Sequence, residues 1–223
     1  MDDAVVAAAD GICVAFAWSD DAPEPTVSRE APGVIAPTVH PAPGVLVVGP
    51  LEWTRDRASA SQWAEPDGFE RHRVTSHRPG WRREIVPGRL PPEVGFADAV
   101  SYEKGCYLGQ EPLARIHARG GVRRVLVAVA GTLPEGAAPP IDLSAESRAD
   151  AGRLSSWVAG PDEGCGLALV HRDVAVPGTI LVPTGNAAGT LRVETGPIGD
   201  DPGIGADRKA RAKEVRAQLR RGR

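Results

Sequence analysis

Residues 104–115 read Lys-Gly-Cys-Tyr-Leu-Gly-Gln-Glu-Pro-Leu-Ala-Arg. Gly105 and Gly109 free the backbone on both sides of Cys106, because glycine adopts conformations that other residues avoid. Pro112 suits the first turn of a helix, where the N–H that it lacks would have no partner. The stretch therefore predicts a turn, an exposed thiol and the N-terminus of a helix, in that order.

Cys106 allows two interpretations. A helix N-terminus and a nearby lysine, here Lys104, generally make a thiol more reactive. Gln110 and Glu111 would lie at the helix start, where a carboxylate favours the positive end of the helix. The alternative is that Cys106 is a small buried apolar residue, as most lone cysteines are.

The composition is that of an ordinary globular protein. The chain has 223 residues, of which 42% are hydrophobic and 25% charged, and its net charge is −3. These values exclude a wholly disordered, collagen-like or coiled-coil protein and allow one large domain or two small ones. They give no overall electrostatic case for nucleic acid or an anionic membrane. No apolar run reaches the roughly 20 residues of a membrane span.

The three cysteines indicate a reducing location. Cys13, Cys106 and Cys165 are too far apart for a metal site and too few for a disulfide framework. We therefore expect no bound metal and a cytoplasmic protein. Cys13 and Cys165 lie in strand-like runs and are predicted core residues. The start lacks the basic region of a signal peptide, and it lies so close to strand-like sequence that we expect an N-terminal portion to be missing.

The first part of the chain predicts short strands and loops. Alternating large and small apolar residues predict a strand over 12–18, and an apolar run between glycines predicts another over 44–49. Six prolines within 20–43 predict a loop. One surface helix is predicted over 55–64, and 66–92 looks irregular.

The later part predicts a small antiparallel barrel or sandwich, because several short strands are separated by turn residues. The connection 132–151 is polar and rich in Pro and Ala. The basic tail 207–223 holds eight Lys or Arg residues against Asp207 and Glu214 and is a weak helix or disordered. The predicted strands cover 125–130, 165–170, 179–182 and 190–194.

The string at 104–111 resembles the signature K-G-C-Y-x-G-Q-E of the YgfZ family. These are folate-binding proteins related to the glycine-cleavage T-protein and similar to a mitochondrial assembly factor for iron–sulfur enzymes. The flank at 90–95 looks like the family's approach to the signature. The clear resemblance covers about 82–130 and extends weakly to about 195. The residues after the signature that resemble the family's exit into its barrel are Ala114, Arg115, Gly120, Arg123, Arg124 and Leu126.

The resemblance implies an α+β fold. It implies a partial T-protein-like folate-binding domain over 1–118, an antiparallel β-barrel over 119–200 and the tail over 201–223. Family members arrange three sub-domains in a ring around a central tetrahydrofolate site. They are usually longer at the N-terminus, so self-association is one way to complete the ring.

The resemblance also implies a role and a site. YgfZ-like proteins support the assembly or repair of iron–sulfur clusters in certain enzymes, and they affect tRNA modification indirectly. The implied cofactor is tetrahydrofolate or a derivative, and the implied partners are iron–sulfur client enzymes or assembly machinery. We expect no direct contact with tRNA and no membrane. The implied reactive centre is Cys106, and the implied cofactor-binding residues are Lys104, Tyr107, Gln110, Glu111 and Arg115.

Several alternatives stay open at this point. The chain can be an aminomethyltransferase-like folate enzyme, or a non-catalytic fragment that binds folate or a partner, so whether it is an enzyme is undecided. His117 is either a general base for Cys106 or a surface histidine. Glu111 holds a pterin-like ring or caps the helix. Lys104 and Arg115 bind an anion or are simply solvated. The sequence carries no phosphate-binding loop, dinucleotide fingerprint, serine nucleophile elbow or zinc-protease motif.

Overall fold

The chain folds as two compact units, Met1–Gly80 and Trp81–Arg223. The computed structural model describes residues 3–9, 11–18, 27–30, 32–38, 44–58, 62–63, 66–185 and 188–201. Residues 81–119 fold within the second unit, and the domain limits of 1–118 and 119–200 stay a prediction.

The first unit is built on one six-stranded sheet. Its order is β3-β4-β5-β2-β1-β6, and every pairing is antiparallel except that between β1 and β6. The strands are β1 (Asp3–Ala9), β2 (Ile12–Trp18), β3 (Ser28–Glu30), β4 (Gly33–Thr38), β5 (Gly44–Pro50) and β6 (Gln62–Trp63).

Two helices accompany this sheet, α1 (Leu51–Ala58) and α2 (Pro66–Thr75). The indole of Trp53 in α1 lies against Gly33 and Gly49. A Cβ atom at Gly33 would lie 2.2 Å from the Trp53 ring, and one at Gly49 would lie 2.5 Å from it. The two glycines therefore leave the space that this large side chain fills.

The structure corrects three predictions in the first unit. The proline-rich stretch 20–43 contains β3 and β4, and its other residues, apart from 27 and 32, lie outside the described ones. Pro37 lies opposite Val45 of β5, whereas β3 pairs only with Gly33–Ile35. Among the described strands, Pro37 therefore has a paired neighbour on one side only, which is where proline is found in sheets. The stretch 66–92 contains α2, and the helix predicted over 55–64 begins earlier, at Leu51.

The second unit opens with irregular chain. Two short 3₁₀ turns, Pro91–Glu93 and Ala97–Ala99, precede the helix α3 (Gln110–Arg119). Gly109 and Gly120 bound this helix, both with left-handed backbone conformations. The predicted turn and helix start are therefore confirmed.

The rest of the second unit is a closed antiparallel barrel of six strands, in the order β10-β7-β12-β11-β8-β9. Alternate side chains point inward, such as Val125, Val127 and Val129 on β7, which join a fully buried core. The outward Leu126 is also buried, because the chain at Gly95 and Ile198 lies against it. The strands are β7 (Arg124–Thr132), β8 (Ile141–Ala145), β9 (Arg148–Val158), β10 (Gly164–His171), β11 (Ile180–Pro183) and β12 (Thr190–Val193).

Glycine allows the barrel strands to approach each other closely at two positions. A Cβ atom at Gly131 (φ 151°) would lie 2.1 Å from the carbonyl oxygen of Thr190. One at Gly152 (φ 154°) would lie 2.3 Å from the carbonyl oxygen of Leu169. Both positions combine a conformation that other residues avoid with a steric block.

The predicted α+β class and the antiparallel barrel are confirmed, and the four predicted barrel strands form. The prediction of a mere connection over 132–151 is wrong, because β8 and the start of β9 lie there. Cys13 is buried as predicted, whereas Cys165 is only half-buried. The basic tail 207–223 lies outside the described residues. Among the described helices, none is both long and apolar enough to cross a membrane.

We predict that Leu181→Ala lowers the free energy of unfolding by about 2–5 kcal/mol, because Leu181 is fully buried in the barrel core. The matched control is Val182→Ala on the same strand, where the side chain is 45% exposed. That change should cost roughly 0.5 kcal/mol or less. Urea unfolding followed by circular dichroism compares the two, and equal losses would contradict the observed strand orientation.

Candidate functional site

Cys106 lies on an exposed loop directly before α3. The thiol is exposed, and the neighbouring Leu108 is fully exposed. Gly109 adopts φ 86°, and an added Cβ would meet no atom there, so the backbone conformation alone favours glycine. The left-handed turn at Gly109 therefore turns the chain from the thiol-bearing loop into the helix.

Side chains on both sides of Cys106 fix the loop. The Tyr107 N–H donates to Gln110 Oε1 at 3.1 Å, and the Lys104 N–H donates to Ser101 Oγ at 3.3 Å. The Lys104 ammonium lies 4.5 Å from the centre of the Tyr107 ring, a cation–π contact. Lys104 and Tyr107 thus contact each other across the cysteine.

The other predicted site residues lie further along α3. Glu111 is exposed in the first turn of the helix, where its carboxylate favours the positive end. Arg115 is exposed and lines a separate groove together with Arg119 and Arg123. The structure therefore brings Lys104, Tyr107 and Gln110 together around the loop, and leaves Arg115 in a different environment. The binding roles of all five predicted residues stay predictions.

A cluster that the sequence analysis missed supports this loop. The Tyr102 ring stacks on the His117 ring at 4.1 Å between centroids. Asp201 Oδ2 accepts a hydrogen bond from the Tyr102 hydroxyl at 2.7 Å and lies 2.8 Å from His117 Nδ1. Burial, together with the hydrogen bond to Asp201, raises the pKa of the Tyr102 hydroxyl above its ordinary value. One carboxylate therefore joins the loop, the helix and the chain that follows the barrel.

His117 is half-buried rather than lying on the open surface. In the described residues no hydrogen bond joins it to Cys106, whereas its Nδ1 faces Asp201. Contact with a carboxylate orients an imidazole, so Asp201 orients the His117 ring against Tyr102.

The adjacent Asp200 makes a second connection. Its two carboxylate oxygens accept hydrogen bonds from Arg172 Nη1 and Nη2, each at 2.6 Å. Arg172 Nε donates to the carbonyl oxygen of Val122 at 2.8 Å, just beyond the end of α3. No local pattern in the sequence predicts the contacts of Asp201, which lies 84 residues from His117 and 99 from Tyr102.

A buried carboxyl group marks another part of the second unit. Glu84 is 3% exposed, and its Oε1 accepts hydrogen bonds from the Ser155 and Ser156 hydroxyls, both at 2.6 Å. Consecutive strand residues normally point to opposite faces, but the register between β9 and β10 shifts here, which leaves Ser155 without a partner residue on β10. This bulge explains how both serines reach one oxygen.

A cavity of about 410 Å³ lies beside Glu84. Its lining combines this carboxyl group with apolar and basic side chains. The tight turn in front of Glu84 holds Arg82 at φ 62°, a left-handed conformation that a non-glycine residue adopts at some cost. The lining residues are Arg82, Arg83, Glu84, Val86, Arg89, Pro139, Pro140, Arg153, Ser155 and Leu169. Within the described residues, no group of three or more His, Cys, Asp or Glu side chains is arranged to hold a metal ion.

Parts of the chain are similar in sequence to known proteins. No protein-family model matches the chain. It is 41% identical over 64 residues to the human mitochondrial iron–sulfur cluster assembly factor IBA57, over 27% of this chain and 18% of IBA57. It is 58% identical over 38 residues to the IBA57 homologue of Eremothecium gossypii, over 16% of this chain and 8% of the homologue.

A third relative is a chloroplast protein of Arabidopsis thaliana named as a transferase. It is 29% identical over 92 residues, which are 41% of this chain and 21% of the relative. The chain thus spans less than a quarter of the length of each of these curated relatives. Part of the chain is therefore similar to an iron–sulfur cluster assembly factor.

A solved structure shows the fold. The glycine cleavage system aminomethyltransferase T from Bartonella henselae superposes with a TM-score of 0.60 and 18% identity, over 74% of this chain and 49% of the transferase. This likeness confirms the predicted T-protein-like fold and carries no conclusion about activity.

We predict that the Tyr102 hydroxyl ionises at a higher pH in the folded protein than in the unfolded chain. The chain has two tyrosines, so Tyr107→Phe leaves Tyr102 as the only reporter in the ultraviolet absorbance of tyrosinate. The pKa of Tyr102 is raised in the folded state, so the neutral Tyr102 hydroxyl contributes to the stability of the fold. This contribution is complete below the unfolded pKa of about 10 and is lost as the pH rises through the folded-state pKa.

The control for this titration is the same variant in denaturant. Adding Asp201→Asn should move the folded-state midpoint part of the way down, because the carboxylate is removed while burial remains. A midpoint that is equal in the folded and unfolded protein would show that Asp201 does not hold the Tyr102 hydroxyl.

Proposed function

We propose that this chain is an accessory factor for the assembly or repair of iron–sulfur enzymes, with Cys106 as its reactive centre. The supporting observation is the exposed Cys106 thiol, held on a loop that α3 and the Tyr102–His117–Asp201 cluster support. The partial identity with IBA57 gives this thiol its proposed context.

The geometry suits transient rather than permanent handling of a cluster. Iron–sulfur clusters are usually held by four thiolates, and the chain has three cysteines, of which only Cys106 is exposed. The Cys106 thiolate can donate an electron pair to an iron atom of a cluster whose other ligands belong to a partner. The fully exposed Leu108 beside it presents an apolar contact to such a partner. The proposed partners are client enzymes or assembly proteins in a reducing compartment.

The cavity at Glu84 fits a folate in chemical class. A folate has an aminopyrimidinone edge that pairs with a carboxylate, a flat ring system and a tail of glutamate carboxylates. In the cavity, Glu84 can pair with the aminopyrimidinone edge, and the arginines can pair with the glutamate carboxylates. The flat ring system can lie against the apolar lining, which is formed by Val86, Leu169, Pro139 and Pro140. Its volume of about 410 Å³ lies in the range of ligand pockets. When bound, a tetrahydrofolate would supply a one-carbon carrier.

The cavity does not include the residues that the signature predicts for cofactor binding. Lys104, Tyr107, Gln110, Glu111 and Arg115 are all absent from its lining. We therefore propose that Lys104, Tyr107, Gln110 and Glu111 shape the surroundings of Cys106, while Glu84 and its basic rim hold the folate. Arg115 lines a separate groove and has no part in this proposal.

A second candidate is aminomethyl transfer, the activity named for the solved structure that shares this fold. This function would require one-carbon transfer to tetrahydrofolate by the purified chain. The assembly function requires no such turnover, so an assay of transfer separates the two.

We predict that the protein restores iron–sulfur enzyme activity in cells that lack their own YgfZ-like factor, and that Cys106→Ala does not. The readout is the activity of a radical iron–sulfur enzyme that modifies tRNA, measured at equal soluble levels of each variant. Cys165→Ala is the matched control, since it removes a half-buried thiol from β10 instead. Equal rescue by the wild type and both variants would overturn the role of Cys106.

We predict that Glu84→Gln weakens binding of tetrahydrofolate about tenfold or more, because it removes the charge that would face the pyrimidinone edge. The amide keeps the shape and an oxygen for the two serines. Calorimetric titration measures the affinity, and Glu146→Gln, at an exposed turn, is the control. Unchanged affinity in a folded Glu84→Gln protein would place the folate elsewhere.

A further inference from the structure

The C-terminal half of α3 forms one wall of a basic groove, defined here by Leu90, Arg115, Ile116, Arg119, Val122 and Arg123. Its volume is about 390 Å³. Arg115 and Arg119 are four residues apart on one helix, so they lie on the same face. The groove is separate from the Glu84 cavity, with which it shares no lining residue.

The three arginines of the basic groove differ from several other arginines that the structure describes in the second unit. Arg124, Arg153 and Arg172 each pair with an aspartate. Over the described part of the chain, Arg115, Arg119 and Arg123 pair with no Asp or Glu side chain. Three guanidinium groups around one concave surface create a local attraction for carboxylates or phosphates.

One acidic residue also lines the basic groove. Glu93 Oε2 accepts a hydrogen bond from the Leu90 N–H at 3.0 Å, which closes the 3₁₀ turn. The Glu93 carboxylate repels any ligand that is negatively charged along its whole length. A ligand that alternates charged and neutral groups can place a neutral group there.

The apolar part of the groove narrows the class of ligand further. Val122 is buried, Leu90 and Ile116 are half-buried, and all three line the groove. A small inorganic anion would leave this surface uncovered. Single-stranded nucleic acids cover apolar surface mainly by stacking bases on aromatic rings, and no aromatic side chain lines the groove.

The spacing of the arginines matches an extended peptide. Four residues of α-helix separate Arg115 from Arg119 by about 6 Å along the axis. Alternate side chains of an extended chain lie on one side, about 7 Å apart. Acidic residues at alternate positions can therefore face successive arginines, while the residue between them faces apolar surface.

We propose that the basic groove binds an extended segment of a protein partner in which acidic residues alternate with apolar ones. Its carboxylates pair with Arg115, Arg119 and Arg123, and its apolar side chains cover Leu90, Ile116 and Val122. This inference does not depend on the iron–sulfur role or on folate binding, because it concerns a surface that neither uses.

Fluorescence anisotropy with the full chain and a labelled, end-blocked peptide Glu-Leu-Glu-Leu-Glu tests the proposal. We expect saturable binding that weakens as salt is raised from low to physiological concentration. In one control peptide every Glu is replaced by Gln, and in the other every Leu is replaced by Ser. Each control peptide should bind at least about tenfold more weakly than the original peptide. A short single-stranded RNA with the same label is titrated in a separate experiment and tests the alternative that the groove binds nucleic acid.

Variants then place the peptide in the groove. Arg119→Glu should weaken binding about tenfold or more by reversing one charge. Arg119→Lys keeps the charge and loses the guanidinium fork, so it should give a smaller loss and guards against misfolding. Arg192→Glu, on the barrel strand β12, makes the same charge change outside the groove and should have little effect.

Three results would overturn the proposal. RNA that binds more tightly than the peptide and depends on Arg119 would make the groove a nucleic-acid site. Equal losses in Arg119→Glu and Arg192→Glu would show attraction by overall charge alone. Equal binding of the Leu and Ser peptides would show that the apolar surface takes no part.

Discussion

Two adjacent carboxylates, Asp200 and Asp201, connect the Cys106 loop, helix α3 and the barrel of the second unit. Asp201 contacts Tyr102 before the thiol loop and His117 on α3. Asp200 contacts Arg172 after β10, and Arg172 in turn binds the carbonyl oxygen of Val122. The loop that carries Cys106 is therefore tied to the barrel through a segment that follows the last strand. Cys106 is therefore exposed on a loop whose two flanks, at Tyr102 and His117, are joined by one carboxylate.

Local sequence patterns were sufficient to predict the loop that carries Cys106. They were not sufficient to predict the distant residues that contact its flanks. A left-handed glycine and a proline in the first turn mark the start of α3 in the sequence itself, so Gly109 and Pro112 were sufficient evidence. The short strand-like run between Gly178 and Gly185 likewise predicted β11. By contrast, nothing near Asp201 in the sequence indicates that it contacts His117 and Tyr102, which are 84 and 99 positions away. Contacts of this kind depend on how the barrel closes.

Two elements were missed for related physical reasons. Helix α2 has few apolar residues, and its buried Arg73 bonds to Glu70 and to the carbonyl oxygen of Arg78, so its packing leaves no apolar stripe to recognise. Strand β4 lies in a stretch whose prolines predict a loop. Its Pro37 has a paired strand on one side only, because β3 pairs with Gly33–Ile35 and does not reach it. In both cases tertiary packing outweighs the local pattern.

The close approach of strands at Gly131 and Gly152 has a consequence for how the gene can vary. Any base change in the first or second position of a glycine codon replaces the glycine. At these two positions every such replacement places a side chain against a backbone carbonyl oxygen. Neighbouring outward positions, such as the exposed Val182, face water and accept a much wider range of codons. Substitutions in the barrel are therefore expected mainly at exposed outward positions rather than at these two glycines.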